Sequence, residues 1–544
     1  MIAEPSSTAA EPAATPSSGS SQTPDVPSGL YEFVNPIAEG ADPCVVKDGD
    51  RYLWSQSEGN VGVAIWESDR LTGLGTKHVV WEAPSTGPYS KEVWAPELIR
   101  LDGGWYIYVA ASDGDNRNHR AYVLAADTAD PLGSYTLHGP LFTGDGTDPE
   151  AENLWAIDMT VLEHQGKNYA LWSGYLQTDG PHQHLFISPM ADPVTLAGPR
   201  VRLFRPTDYS WERSTEQPGL PAIDEAPQVL TQGGRIFVAY SCGSALLPSY
   251  KLGLLELTGD DPLELSSWRK FPQPVFTSSD STYGVGHGGY VRSPDGSQWW
   301  HIYHAKMDPE FGFRRAIFAQ PFTWSADDAP VLGEPVPPNE PLAVPAGTPI
   351  HPVDHAQSWD LTDGRSSTAD FDYYGHHQFI DHDQTGVHLG IVPAVPINDY
   401  RSGEKLVLRD GVYGDARVTA VFRFVEGDRD VGLLFRASSP AVGFDAERGY
   451  LAAISPARGG VVLGKMDGAG WHELAWTTLP IDVDQPQRLT VEAMGRQIKV
   501  MVGDGNGDDA VLVAEDADYS VGSVGVRVLD THAAFESLSV HPLL

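Results

Sequence analysis

Three carboxylates stand at the heads of repeated strand units: Asp42 in GADPCV, Asp158 in WAIDMTV and Glu225 in AIDEAPQV. Two carboxyl groups flanking one glycosidic bond, one protonated and one ionised, can hydrolyse that bond. A third acid nearby raises the proton affinity of the donor by like-charge repulsion. The short Asp42 and Asp158 suit positions on a cavity wall, and the longer Glu225 suits a donor that reaches a glycosidic oxygen. Glu225 follows Asp224, so either neighbour could carry that proton; register within the repeat selects Glu225. Taken singly, an Asp beside Pro is a common strand-entry residue. The chemistry therefore depends on bringing all three acids together.

Repetition of the chain supplies a way to do so. A hairpin turn followed by an aromatic-rich strand recurs five times, with turn glycines at Gly49, Gly103, Gly166, Gly233 and Gly296. Asp42, Asp158 and Glu225 open the first, third and fourth of these units. Hairpins repeated at a coarse period predict radial repetition of small antiparallel sheets, a five-bladed propeller. Equivalent positions of its inner strands face one axis. The aromatic second strands (RYLW, WYIYV, QWWHIY) read as packing between blades, while a fourth strand per unit is not evident.

Composition sets the outer bounds. The chain has 544 residues, long enough for two or three domains, with 56 Gly and 43 Pro as turn-rich β proteins have. Its formal charge is −37 with no basic run, which argues against nucleic acid and anionic lipid as partners. No apolar stretch reaches bilayer-spanning length. The two cysteines, Cys44 and Cys242, make neither a disulfide framework nor a CxxC metal motif; they read as small buried thiols.

Four segments follow. Residues 1–28 form a Ser/Pro-rich stretch without a hydrophobic h-region, read as a disordered tail of the kind that follows a cleaved export signal; secretion is the expected location. Residues 29–335 hold the propeller, and 336–355 a Pro-rich linker expected to run extended along it. Residues 356–544 carry alternating strands such as ARVTAVFRFV, GYLAAISP and QRLTVEAMG, expected to form a β-sandwich or jelly roll. The fold class expected is all-β. Within the propeller, the polar loop Ser112–Arg120 places Asn118 and His119 as candidate rim contacts to substrate. Its Asp113, Asp115 and Asn116 lack the Glu that an EF-hand loop requires. Trp94 is a candidate subsite wall, because aromatic faces stack on sugar rings.

ADP near the start, WAPEL at Trp94 to Leu98, WAIDMTV, IDEAPQV and a late GHG, in this order, resemble glycoside hydrolase family 43 over Leu30 to Pro335. The resemblance implies inverting enzymes on a five-bladed propeller, chiefly α-L-arabinofuranosidases, arabinanases and β-xylosidases. It implies Asp42 as general base, Asp158 as modulator of the acid's proton affinity, and Glu225 as general acid. It implies Arg315 near the sugar and the acid, and His287 facing an axial ion, often calcium, or a water. Met159 stands where similar arabinofuranosidases commonly carry Gly, which would reshape the pocket floor. The C-terminal segment resembles concanavalin-like sandwich modules that bind glycan or brace the propeller.

The expected activity is exo-acting release of terminal arabinose from a plant cell-wall oligo- or polysaccharide by a monomer. No organic cofactor is required, and a calcium ion on the propeller axis is the one inorganic candidate. β-Xylosidase and a non-catalytic glycan-binding propeller are the alternatives. A β-fructosidase would need Arg-Asp-Pro and Glu-Cys motifs, and neither is present.

Overall fold

The computed structural model describes residues 28–146, 148, 152–176, 182–214, 216–217, 219–390, 403–503 and 510–543. Residues 1–27 of the expected tail lie outside the described residues. The chain folds as an all-β protein, a five-bladed propeller followed by a two-sheet sandwich.

Blade one comprises Cys44–Asp48, Arg51–Ser57, Gly62–Ser68 and Thr76–Glu82, and blade two Lys91–Leu101, Gly104–Ser112, Arg120–Ala126 and Tyr135–His138. Blade three is built on Ala156–His164, Lys167–Tyr175 and Gln183–Asp192, with short outer pairings from Thr195–Leu196 and Val201–Arg202. Blade four comprises Asp224–Gln232, Arg235–Cys242, Lys251–Leu257 and Trp268–Lys270. In blade five, Tyr283–Arg292, Trp299–Lys306 and Arg315–Trp324 are completed by Ala38–Glu39 from the start of the chain, which closes the ring. The outer strands are only two to seven residues long, as short protected edges are. Their brevity is why they left little trace in the sequence.

The first turn of each blade follows local chemistry. Asp102-Gly103 and Gln165-Gly166 both have positive φ at two successive residues, 50° and 84°, then 50° and 73°. These are the left-handed pairs that two-residue hairpins need to match strand twist. The aromatic second strands pack between blades: Tyr52, Trp54, Tyr108, Trp172, Tyr240, Trp300 and Tyr303 are all buried. Blades two and three, for example, share a cluster of Tyr108, Val123, Ala170, Trp172 and Phe186.

In the sandwich, one sheet runs Ile380–Asp383, Gly386–Leu389, His532–Pro542, Ala416–Glu426, Gln487–Met494, Gln497–Val502 and Leu512–Glu515, with Gln357–Asp360 also on His532–Pro542. The other runs Phe371–Tyr374, Lys405–Leu408, Ser523–Val528, Val431–Ser438, Arg448–Ser455, Gly460–Asp467 and Trp471–Thr478. Val418, Phe422, Leu433, Tyr450, Leu489 and Phe535 fill the space between the sheets. The same cluster continues into blades five and one through Trp300 and Trp66, where Trp66 stacks on Tyr373 of the sandwich at 6.2 Å. The Pro-rich linker pairs Pro341–Ala343 with Glu32–Val34, and just before it Pro330–Val331 adds to the edge of blade five. Among the described residues, no helix is long and apolar enough to cross a membrane.

Candidate active site

In or just before each inner strand an equivalent residue has left-handed backbone: Asp42 (φ 53°), Ala95 (45°), Asp158 (55°), Ala226 (51°) and His287 (37°). In blades two to five the pairing register slips around this residue. A bulge of this kind turns a strand end and re-aims its side chains. The five strands thus present equivalent residues to one point, and three of the five are Asp42, Asp158 and His287.

Glu225 is not in this register. The counterpart of Asp42 and Asp158 in blade four is Ala226, and Glu225 lies one residue earlier, at the position Trp94 occupies in blade two. The repeat-head equivalence expected from sequence is corrected by that one step. The longer glutamate side chain spans the offset, and its carboxyl still lies close enough to Asp42 for the two charges to oppose each other.

Around Asp42 three side-chain nitrogens converge on a single oxygen, Arg315 donating to it, while His304 Nδ1 accepts from the Asp42 backbone N–H at 3.2 Å. Oδ1 lies 3.1 Å from Arg315 Nη1, 3.1 Å from His304 Nδ1 and 3.2 Å from His287 Nδ1. Burial opposes charge on Asp42, yet Arg315, with His287 and His304, holds its carboxyl well below the usual carboxylate range. Burial pushes His304 down to about 3, with Arg315 adding to it, and pushes His287 down as well. Both rings are therefore neutral around an ionised Asp42.

Glu225 sits in the opposite electrostatic setting. It is buried, and its Oε1 accepts a hydrogen bond from Tyr250 Oη at 2.8 Å. Burial pushes its carboxyl up to about 7; the Tyr250 bond works against this rise, and repulsion from Asp42 works with it. Asp158 Oδ2 accepts from Ala226 N at 3.1 Å and lies 3.9 Å from His287 Nδ1. Burial, then Glu225, then Asp42 push Asp158 far up. One depressed and two raised carboxyls share a small volume, the environment that separates a base from an acid.

Removing the Tyr250 hydroxyl tests this setting. The bond favours charged Glu225, so Tyr250→Phe is expected to raise the proton affinity of Glu225. The alkaline limb of kcat/KM, where activity falls as Glu225 ionises through about 7, should then move up by roughly half to one pH unit. A pH–rate profile of both proteins checks it.

The axis continues one layer below. Glu97 accepts from Thr160 Oγ1 at 3.1 Å and Gln228 Nε2 at 3.0 Å, and Cys44 lies beside it. Burial pushes Glu97 up to about 7. Cys44 and Cys242 are free and buried. Calcium takes six to eight oxygen ligands. Among the described residues no group of three or more His, Cys, Asp or Glu is arranged to hold a metal ion. His287 Nδ1 is directed at carboxylates, and both Glu97 oxygens are already engaged. Among the described residues no ready-made cage of protein ligands stands on the axis for calcium.

The remaining candidates make no hydrogen bond to the three acids among the described residues. Trp94 is half-buried, donates Nε1–H to Glu92 Oε2 at 3.0 Å and packs against His119 with ring centroids 3.9 Å apart at a 30° tilt. It packs near Trp155, Ile157 and Tyr175, on the side of the site where Asp158 lies. His119 is fully buried, with its ring nitrogens on the Asn116 and Glu92 carbonyls at 3.1 and 3.0 Å. It braces Trp94 instead of meeting solvent. Asn118 is exposed and donates to Asp113 within its own loop. Met159 follows the left-handed Asp158 and turns into the core between blades two and three. It is buried there, not on a pocket floor.

Several neighbours gave no sequence signal. His304 and Tyr250 stack at 5.5 Å and so couple the base side to the acid side. A Cβ on Gly286 would stand 2.4 Å from the Tyr250 ring, so the glycine makes room for that tyrosine. Ser241 Oγ accepts from His287 N at 2.9 Å. Phe311 and Phe313 are more than half exposed, and Phe313 lies under the Arg315 guanidinium.

Comparison with known proteins places this arrangement. Residues 33–330 match the profile of "Glycosyl hydrolases family 43". The chain is 33% identical over 320 residues to an extracellular exo-α-(1→5)-L-arabinofuranosidase of Streptomyces avermitilis, covering 56% of this chain and 64% of that protein. It is 32% identical over 288 residues to a protein of the same name from Streptomyces chartreusis, covering 51% and 84%. The crystal structure of an α-L-arabinofuranosidase from Lactobacillus brevis is similar with a TM-score of 0.52 at 31% identity, covering 57% of this chain and 98% of that one. The chain thus spans somewhat under two thirds of the length of the S. avermitilis relative.

Proposed function

This chain belongs to glycosyl hydrolases family 43, and we propose that it is an exo-acting, inverting α-L-arabinofuranosidase that releases terminal arabinose from plant cell-wall glycans. The observation that carries the reading is the split among the buried carboxyls: Asp42 held ionised by Arg315, Glu225 held up to about 7. Both S. avermitilis and S. chartreusis relatives are named arabinofuranosidases, which supports the sugar. Their names also say extracellular, which supports action outside the cell.

In this reading Asp42 is the base. Arg315, His287 and His304 all hold Oδ1, so Oδ2 addresses the water. That water loses a proton to Asp42 as its oxygen bonds to the anomeric carbon. Glu225 gives its proton to the departing glycosidic oxygen in the same step, and the anomeric centre inverts. Asp158, pushed up by burial and by its acid neighbours, keeps negative charge from building beside Glu225. Trp94 and Phe313, the latter under Arg315, offer aromatic faces to sugar rings. The chemistry needs no organic cofactor, and one chain carries every group used.

Purified protein assayed side by side on p-nitrophenyl α-L-arabinofuranoside and p-nitrophenyl β-D-xyloside, with Asp42→Ala as the blank, tests the sugar. Turnover of the arabinoside alone is expected. Turnover of the xyloside alone would make the protein a β-xylosidase, and binding of arabinan with no turnover would make it a glycan-binding propeller.

A further inference from the structure

Asp42 stands three residues beyond the end of the two-residue strand Ala38–Glu39. A strand that short has few ladder bonds of its own, so its placement depends on what holds its two edges. One edge is held by blade five, through Ile37 N to Ile317 O at 2.9 Å and Gly40 N to Arg315 O at 3.2 Å. The other edge is held by the sandwich. Glu39 N donates to Gly375 O at 3.0 Å, and Glu39 forms a parallel bridge with His376. The segment between Phe371–Tyr374 and Ile380–Asp383 thus adds to the sheet that closes the propeller.

The next residue of that segment reaches further in. His377 Nε2–H donates to the Ser57 carbonyl of blade one at 2.8 Å. Its own carbonyl accepts from Lys77 Nζ at 3.1 Å, and Lys77 pairs with Glu58 at 2.8 Å. A Cβ on Gly40 would stand 3.3 Å from His377 Nδ1 and 3.2 Å from Gln56 Oε1. The backbone two residues before Asp42 is therefore seated directly against the His377 ring. His377 is buried, as are its partner Lys77 and neighbour His376, so water does not compete for these bonds.

We propose that His377 is a positioning residue for Asp42, and that the sandwich is a working part of the catalytic centre because it latches the strand that leads into the base. The proposal rests on the reading of Asp42 as base. Water activation needs the base placed to within a fraction of an ångström, and a misplacement of about 1 Å can cost roughly 100-fold. The acid side, on blade four, is untouched by this contact. Loosening the latch therefore lowers turnover without changing how the reaction depends on its leaving group.

The test uses the full chain and aryl α-L-arabinofuranosides with good and poor leaving groups. His377→Ala is expected to lower kcat about 10-fold or more, leave KM within about 2-fold, and lose the same factor on every leaving group. His377→Gln, which keeps a donor for the Ser57 carbonyl, is expected to recover most of the loss. Should His377→Ala not fold, Gly40→Ala probes the same contact from the other side and should show the same kcat signature. Unchanged kcat with a lowered Tm would overturn the proposal, as would equal impairment of the Ala and Gln variants. So would a loss that grows as the leaving group worsens. Asp42→Ala run in parallel separates the two readings: an active Asp42→Ala removes the base assignment itself, whereas an inactive Asp42→Ala beside a fully active His377→Ala removes only the latch.

Discussion

Asp42→Ala is expected to lower kcat about 10,000-fold on every arabinoside, whatever its leaving group. Asp42 Oδ1 accepts from Arg315 and lies beside His287 and His304, so no other ionised carboxylate stands in the same place to take a proton from water. Asp158 and Glu225 are both pushed up by burial and are poor substitutes. The same electrostatics fix a stability signature. Arg315 and the two histidines hold the folded-state pKa of Asp42 below its unfolded value of about 4. Its charge thus contributes stability that is present above about pH 4 and is lost as pH falls toward the folded value. The Tm difference between wild type and Asp42→Ala should therefore narrow in acid. Retained hydrolysis in this variant, measured with the same aryl substrate, would remove the base assignment.

Glu225→Ala is expected to divide substrates by leaving group. On arabino-oligosaccharides, whose departing alkoxide needs a proton, turnover should fall roughly 100- to 10,000-fold. On p-nitrophenyl arabinofuranoside, whose phenolate leaves with little help, most of the activity should survive. The alkaline limb near pH 7 should vanish from the aryl-substrate profile, because the group that ionises there is gone. Equal losses on both substrate types would contradict the role. The two variants thus separate along one axis, with leaving-group independence on the base side and leaving-group dependence on the acid side. That axis is also what the His377 latch is measured against.

What could be read from the chain follows how local each determinant is. The turn glycines and the strands they join were legible because a left-handed hairpin residue is a demand made by its immediate neighbours: Gly103 and Gly166 sit at φ 84° and 73°. Asp42 and Asp158 were legible because each opens such a unit. Glu225 was placed one residue out of register, although a signal for the true register was present. Asp42-Pro43, Ala95-Pro96 and Ala226-Pro227 repeat a left-handed residue followed by Pro. Aligning those prolines puts Ala226, not Glu225, opposite Asp42.

Other features depend on contacts between distant parts of the chain. Ala38–Glu39 closes blade five across nearly 280 residues, and two residues carry too little pattern to announce it. His304 meets Asp42 from the second strand of blade five, and Tyr250 meets Glu225 from just before the third strand of blade four, where they look like ordinary packing aromatics. His119 sits in a polar loop and reads as exposed. Two backbone carbonyls within reach of its ring nitrogens let it be fully buried. Met159 follows a left-handed residue, and that backbone turn sends its side chain into the interblade core.

In the proposed mechanism water attacks from the Asp42 side while Glu225 protonates the opposite side of the sugar. One-dimensional proton NMR of p-nitrophenyl α-L-arabinofuranoside hydrolysis, recorded within the first turnovers before mutarotation, tests this most directly. The β-anomer of arabinose appearing first is the predicted result. The α-anomer appearing first would mean a covalent glycosyl-enzyme intermediate, and would contradict a mechanism in which Asp42 activates water.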